Sequence, residues 1–448
     1  MALLLGGCAG APYRRPDVPV PPTYRADNSP ANGGQISSAT LGELRWQDLI
    51  HDEELSQLIQ EALSHNLDAQ IAAARVLEAR AQLTISHSAR LPAIDAQAGY
   101  NNSRLLALDS SATSLSLSLA WELDLWGRIR NMNAAARAGL LASEQARRGV
   151  LQSLVSDVVG GYFQLRDLNL ELAITQHALT LREDSLGLVR LRVDNGYSSE
   201  IDLREAEVLV ESAHTALSGL ELQMEQTENA LDILLGRNPG PIIRGKWFPK
   251  PGMFSSLPPG LPSTLLNRRP DILQAEQELI ASHALVEVAR AAYFPTLSLT
   301  SSSGVESSAL HNLFSSSGAV WSIGPAASLP VFHAGSIRAG VRAAEARQQQ
   351  ALLLYRQTIQ QAFREVADAL VNTQKLAELH VEQERLVESL RVSVELADLR
   401  YRGGVASYLE YLDSERQLLS AQLLLVQVRR QELTNVVTLY KSLGGGWQ

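Results

Sequence analysis

Four stretches of this chain alternate apolar and polar residues with a period of two. Leu115, Leu117, Leu119, Trp121, Leu123 and Leu125 fall on one side, and Ser114, Ser116, Ser118, Glu122 and Asp124 on the other. Ile94, Ala96, Ala98 and Tyr100 alternate with Asp95, Gln97, Gly99 and Asn101. Leu297 and Leu299 lead a third run. Trp321, Ile323, Leu329 and Val331 mark a fourth, with Ser322, Gly324 and Ser328 between them. This period predicts half-apolar strands at about 93–103, 112–125, 296–305 and 318–331, paired as two hairpins.

The rest of the pattern is helical. Residues 131–195 are rich in Ala, Leu, Arg, Glu and Gln, the better helix formers. Leu172, Leu179, Leu186 and Val193 step by seven, as a coiled-coil seam does. A break at Asn195-Gly196 precedes a second helix to about 235. The order returns as a helix over 336–402, a break at Gly403-Gly404 and a helix to about 442. A shorter helix, 52–90 or 270–292, precedes each hairpin. A helix of 65 residues is about 100 Å long, which implies coiled-coil or barrel packing.

Proline placement supports this division. Of 18 prolines, six lie in 12–30 and eight in 236–270, while 96–238 and 331–448 contain none. An internal proline costs a helix about 3 kcal/mol, so the two empty windows are free to be helical. Leu91-Pro92 and Phe294-Pro295 mark exits from helix into strand. Pro325 lacks an N–H within a predicted strand, so a bulge is expected there.

The two halves are copies. Ile129, Arg130, Ala135, Ala136 and Ala138 recur 208 positions later as Ile337, Arg338, Ala343, Ala344 and Ala346. Leu191, Arg192 and Gly196 match Leu399, Arg400 and Gly404 at the same offset. Before residue 92 the offset is 203, with Asp68, Ala72, Ala81 and Pro92 matching Asp271, Ala275, Ala284 and Pro295. The expected organisation is a signal-peptide remnant (1–7), a lipidated extended arm (8–40) and a first repeat (41–235). A Pro-rich linker (236–269) and a second repeat (270–448) follow.

Strands of this length suit a bilayer, which a tilted strand of about 9–11 residues can span. They could instead be amphipathic strands folded onto a helical core, but the helices show no second apolar face to receive them. Four strands cannot close a barrel, and an open edge cannot face lipid. The smallest known barrels have eight strands, so strands from several chains must be pooled. The protein is therefore expected to be an oligomer around a wet, polar-lined axis.

Composition narrows the class. The net charge of −9 and only four lysines argue against a nucleic-acid surface. The single cysteine, Cys8, excludes an internal disulfide. Leu5-Gly6-Gly7-Cys8-Ala9 resembles a bacterial lipobox, in which the cysteine is lipidated after cleavage. The other reading is a stray cysteine, since no basic segment precedes it. Ala9 rather than Asp after the cysteine resembles the pattern sorted to the outer membrane.

Longer motifs carry a family resemblance. They are Arg269-Pro270-Asp271-Ile272, Ala289-Arg290-Ala291-Ala292-Tyr293-Phe294-Pro295, Trp321-Ser322-Ile323-Gly324-Pro325 and Leu123-Asp124-Leu125-Trp126-Gly127-Arg128. With the two helix breaks, they resemble the outer-membrane factor family, the TolC/OprM-like efflux channels, over about residues 40–445. Cys8 points to the lipoprotein (NodT-like) branch. His333-Ala334 depart from the family's usual Asp-Gly.

The resemblance implies a homotrimer, mostly α, whose four strands per chain pool into one outer-membrane β-barrel and whose helices form a periplasmic α-barrel. It implies work with a periplasmic adaptor and an inner-membrane pump of the resistance-nodulation-division class. No cofactor is implied beyond the covalent lipid on Cys8. The breaks at 194–203 and 402–413 become channel tips. Val405, Leu409 and Asp413 match one branch's constriction, and Glu410 matches an acidic position in another. Asp194 and Asp202 become candidate partners for Arg400 or Arg402 of a neighbouring chain, with Tyr401 beside them. Ala406 stands where that other branch has a linking arginine.

Other classes fit less well. The nine histidines lie singly, without metal-ligand spacing or a His-Glu-x-x-His motif. No Gly-x-Ser-x-Gly elbow occurs. Gly335-Ser336-Ile337-Arg338-Ala339-Gly340 only faintly resembles a phosphate loop, because Val341-Arg342 replace its Lys-Ser/Thr pair. A soluble or lipid-anchored coiled-coil scaffold would explain the helices and leave the hairpins unexplained. A general uptake porin would leave the helices without purpose.

Overall fold

A computed structural model describes residues 12–25, 52–105, 108–245 and 262–445. Cys8 lies outside them. The elements run α1 (Glu53–His65), α2 (Leu67–Ser88), β1 (Ala93–Leu105), β2 (Leu108–Leu123), α3 (Arg128–Asp194) and α4 (Glu200–Leu235). Then come α5 (Pro262–Arg268), α6 (Pro270–Ala291), β3 (Thr296–Ser307), β4 (Ala319–Ser328), α7 (Ser336–Arg402) and α8 (Tyr408–Ser442). Helices α3 and α7 each have 67 residues and start 208 positions apart, so the duplication holds to the residue.

Two compact units divide the chain. One comprises 12–19, 72–147 and 271–359 among the described residues, and contains the strands. These form one antiparallel sheet in the order β1-β2-β3-β4. Ile94 stands opposite Leu119, Leu119 opposite Ser301 and Ser301 opposite Ile323. Leu117, Ser303 and Trp321 form a similar row. Directly opposed residues share a face. The register therefore gathers Ile94, Tyr100, Leu115, Leu117, Trp121, Leu299, Trp321 and Ile323 on one side. Asp95, Ser118, Ser302 and Ser322 share the other. Most of the apolar side is exposed in the single chain, Trp321 and Tyr100 most openly. The bulge expected at Pro325 is absent. Pro325 pairs with Leu299 in an unbroken register, with no extra residue inserted on either strand.

The turns into the long helices are built for that role. The Asp124 carboxylate accepts from the N–H groups of Ile129 (3.0 Å) and Arg130 (2.8 Å), satisfying donors at the start of α3. Trp126 stacks on Phe294 at 4.7 Å and donates to the Pro295 carbonyl at 2.7 Å, joining the two repeats at their strand ends. Before α7, Ala334 has φ 47°, in the left-handed region that favours glycine.

The other unit comprises 20–25, 52–71, 148–245, 262–270 and 360–445. The helix expected over 52–90 is two helices, because Asn66 leaves the α region at ψ 130°. Its Oδ1 accepts from Ala69 N–H at 2.9 Å, which caps α2, and its Nδ2 donates to the Leu234 carbonyl at 3.0 Å. The second repeat makes the counterpart contact with another side chain. Arg269 Nη1 donates to the Ser442 carbonyl at 3.1 Å. Gly236 follows α4 with φ 74°, and a Cβ there would lie 2.2 Å from the His65 carbonyl oxygen. Gly236 thus allows a contact that a side chain would block. The Pro-rich linker contains the short helix α5. Leu55, Ile59, Tyr162, Leu165, Leu231 and Leu235 are fully buried core residues of this unit.

Candidate functional site at the helix tips

The second unit contains both helix–turn–helix tips, and each is closed by its own sequence. Gly196 (φ 75°) and Gly404 (φ 73°) take the left-handed conformation after α3 and α7. Tyr197 N–H donates to the Arg192 carbonyl at 2.8 Å and Val405 N–H to the Arg400 carbonyl at 3.0 Å. These bonds, with those of the glycines, make a Schellman termination at each tip.

The two tips then diverge. Ser199 caps α4, its hydroxyl accepting from Asp202 N–H while the Asp202 carboxylate accepts from Ser199 N–H (2.9 Å) and the Ser198 hydroxyl (2.8 Å). Partial burial opposes ionisation of Asp202. The hydrogen bonds from Ser199 N–H and the two serines outweigh it and hold its pKa below the usual carboxylate range. Ser407 caps α8 in the same way through Glu410 N–H (3.4 Å), but the Glu410 side chain turns instead to Arg400, Nε to Oε1 at 3.0 Å.

A tyrosine cluster supports the tip from inside. Tyr401 and Tyr408 lie 5.2 Å apart, and Tyr411 stacks on Tyr401 at 6.3 Å. Val189, Ala206 and Leu412 complete this core. Burial pushes the Tyr408 phenol up to about 12, so it stays neutral and shares a 3.1 Å hydrogen bond with Ser185. Arg192 sits 4.5 Å over the Tyr401 ring and donates to the carbonyls of Tyr401 and Arg402 at 3.5 Å. Its cation therefore faces the negative end of α7. Arg182 and Glu415 form a pair with side chains only 7% and 8% exposed, Nε to Oε1 at 3.1 Å. Burial pushes the Glu415 pKa up and Arg182 opposes that.

Each residue singled out in the sequence has a definite place here. Val405 (71% exposed) and Leu409 (61%) present bare apolar surface. Asp413 is held by Arg416 at 2.7 Å and Gln417 at 2.6 Å. Leu409 and Asp413 line a cavity of about 280 Å³ with Glu205, Val208 and Leu412. Arg400 pairs with Glu410, and Arg402 with Asp398 at 2.9 Å, so both find acids within the chain. The Asp202 side chain is engaged in its cap. Tyr401 is 6% exposed, and its ring is packed within the chain. Asp194 ends α3 and makes no ion pair among the described residues. Sequence reasoning missed Tyr408, Tyr411, Arg192 and the Arg182–Glu415 pair. Three of the chain's 11 tyrosines fall within 401–411, and that clustering was the available signal.

Among the described residues no group of acidic, His or Cys side chains could hold a metal ion, and no helix is long and apolar enough to cross a membrane. What the geometry offers is one exposed apolar sheet face and duplicated helix tips carrying apolar and acidic side chains.

Comparison with known proteins agrees. Residues 58–237 and 261–445 match the family of outer membrane efflux proteins, and the chain belongs to that family. It is 37% identical to the cation efflux system protein CusC of Escherichia coli O6:H1, over all of this chain and 98% of that one. It is 35% identical to the probable outer membrane lipoprotein SilC of Salmonella typhimurium, over 99% of this chain and 97% of that one. The structure of the outer-membrane channel OprN superposes with a TM-score of 0.89 at 32% identity, covering 98% of this chain and 99% of that one. The chain is thus an outer-membrane efflux channel.

Proposed function

We propose that the chain is the exit duct of a tripartite efflux system, passing small molecules from a periplasmic adaptor and an inner-membrane pump to the outside. Strands of several chains pool into one barrel, since four per chain cannot close, and the family resemblance makes the number three, with twelve strands in all. The observation that carries this reading is the four-strand sheet with one apolar face left uncovered. The pump is of the resistance-nodulation-division class, and Cys8 carries a lipid anchor, as the name of SilC suggests for that protein. No cofactor takes part, and no catalytic role is assigned.

The tips act as the gate. Val405 and Leu409 narrow the path, while Glu410 and Asp413 ring it with negative charge that holds hydrated cations and disfavours anions. Asp194, the unpaired acid of the first tip, is the remaining candidate for an inter-chain link to Arg400 or Arg402 of a neighbour. Each of those arginines would have to exchange its in-chain partner, and exposed pairs are worth only about 0–1 kcal/mol, so the lock is readily released by the adaptor.

Fractionation of cells expressing the wild type and Cys8→Ser tests the reading. The wild type should enter the outer membrane as an SDS-resistant trimer that heat dissociates, and restore efflux to a strain lacking its own channel. A soluble monomer without such rescue would reject the channel in favour of a coiled-coil scaffold.

A further inference from the structure

The two tips come from one duplicated sequence, yet they hold their acids differently. Glu205 on α4 and Asp413 on α8 are counterparts at the 208-residue offset, as are Val208 and Arg416. On α8 the arginine stands three residues after the acid and takes it, Arg416 Nη2 to Asp413 Oδ1 at 2.7 Å. On α4 valine stands in that place, and Glu205 makes no hydrogen bond or ion pair among the described residues. Arg204 does not serve it, because that guanidinium holds Glu200 and Glu207, each at 2.7 Å.

Both acids line the cavity of about 280 Å³ between α4 and α8. Its apolar part is Val208, Leu209, Leu409 and Leu412. Leu412 belongs to the buried tyrosine core and Leu209 packs against that core, so this floor is fixed by the packing of the tip. From α3, Arg182 donates to the Leu209 carbonyl at 3.2 Å and pairs with Glu415. It thereby ties α4 and α8 together beside the cavity.

A half-buried carboxylate left over beside a leucine floor restricts what can bind. A bare metal ion needs several acids, and no such group exists among the described residues. A neutral apolar molecule would cover Glu205 and strip its water without giving it a partner. A singly charged organic cation satisfies both parts, its charge facing Glu205 and its body covering the leucines. The cavity lies just below the range of roughly 300–1,000 Å³ usual for drug-sized ligands, which limits the body to about one ring.

We propose that this cavity binds small monovalent organic cations, with Glu205 as the counter-charge and Leu209, Leu409 and Leu412 as the floor. The role of the site rests on the gate reading above, in which Leu409 and Asp413 face the duct. Cationic cargo then pauses beside the constriction, at one site per chain, because only α4 leaves its acid free.

The test titrates benzyltrimethylammonium, whose charge does not depend on pH, into the full-length protein in lipid nanodiscs, read by ligand-observed NMR. Saturable binding is expected. Tetramethylammonium, the same charge without the ring, should bind about tenfold more weakly. Glu205→Gln should weaken benzyltrimethylammonium by about fivefold. Val208→Arg copies the second repeat at a position 66% exposed, and should weaken binding as much by giving Glu205 a partner within the chain. Mg²⁺ at constant ionic strength should not displace the ligand. Binding that persists unchanged in both variants, or that Mg²⁺ displaces, overturns the site. Conductance in planar bilayers is recorded from the same preparations. The cavity lies within one chain, so its binding does not require the trimer. Conductance without binding overturns the cavity and leaves the channel standing. Binding without conductance overturns the channel reading and leaves the cavity.

Discussion

Glu415→Ala is the sharpest perturbation of the tip. The substitution leaves the Arg182 guanidinium buried, with neutral acceptors only: the Leu209 carbonyl at 3.2 Å and the Ser212 hydroxyl at 3.5 Å. Removing one partner of a buried pair costs about 3–5 kcal/mol, because the other charge remains out of water. At about 1.4 kcal/mol per tenfold, amide exchange in 408–416 should accelerate by about 100-fold or more. The converse change is milder. Arg182→Leu copies Leu390, the counterpart in the second repeat, and leaves a carboxyl that can take up a proton. Its folded pKa then lies further above the unfolded value, so the folded state binds the proton more tightly. The defect should therefore shrink as pH falls towards 5 and grow towards 8. Replacing both residues by Leu should be neutral or stabilising by about 1–4 kcal/mol. Hydrogen exchange of the detergent-solubilised channel, read peptide by peptide at several pH values, measures all three. Glu415→Ala within about 1 kcal/mol of wild type, or a double variant as loose as the single, would refute the reasoning.

Other predictions follow from single features. Burial pushes the Asp167 pKa up to about 6, against the opposing charge of Arg430, so the folded state holds this proton more tightly than the unfolded chain. The thermal midpoint should rise as pH falls from about 7 to 4, and Asp167→Asn should flatten that rise. Ala334→Gly should stabilise by about 1 kcal/mol, measured by thermal melting, because it relieves the left-handed φ of 47°. Gly404→Val should cost about 1–2 kcal/mol or more through the reverse effect and loosen the second tip selectively in hydrogen exchange.

The large features were legible because they repeat and because their signals are local. Period-two alternation marked all four strands, and the glycines marked both tips, since Gly196 and Gly404 take positive φ at little cost. The break at Asn66 escaped notice because asparagine is an ordinary helix-surface residue until Ala69 and Leu234 are in place to bond it. Arg182 and Glu415 are 233 residues apart, and no local pattern joins them. The tip arginines were expected to search for acids on another chain. Within one chain Arg400 reaches Glu410 across the turn and Arg402 reaches Asp398 one helical turn back, so a link to a neighbour would require each to exchange its partner. Ala334 was noticed as a departure in type, but only the backbone angle gives it a physical meaning.

Single-channel conductance in planar bilayers tests the central claim most directly. The account places the narrowest and most acidic part of the duct at the turn between α7 and α8. Leu409→Ser with Asp413→Ser should raise conductance and reduce preference for cations, while leaving the trimer on unheated gels unchanged. A trimeric channel whose conductance and ion preference match the wild type would contradict the placement of the gate at these residues.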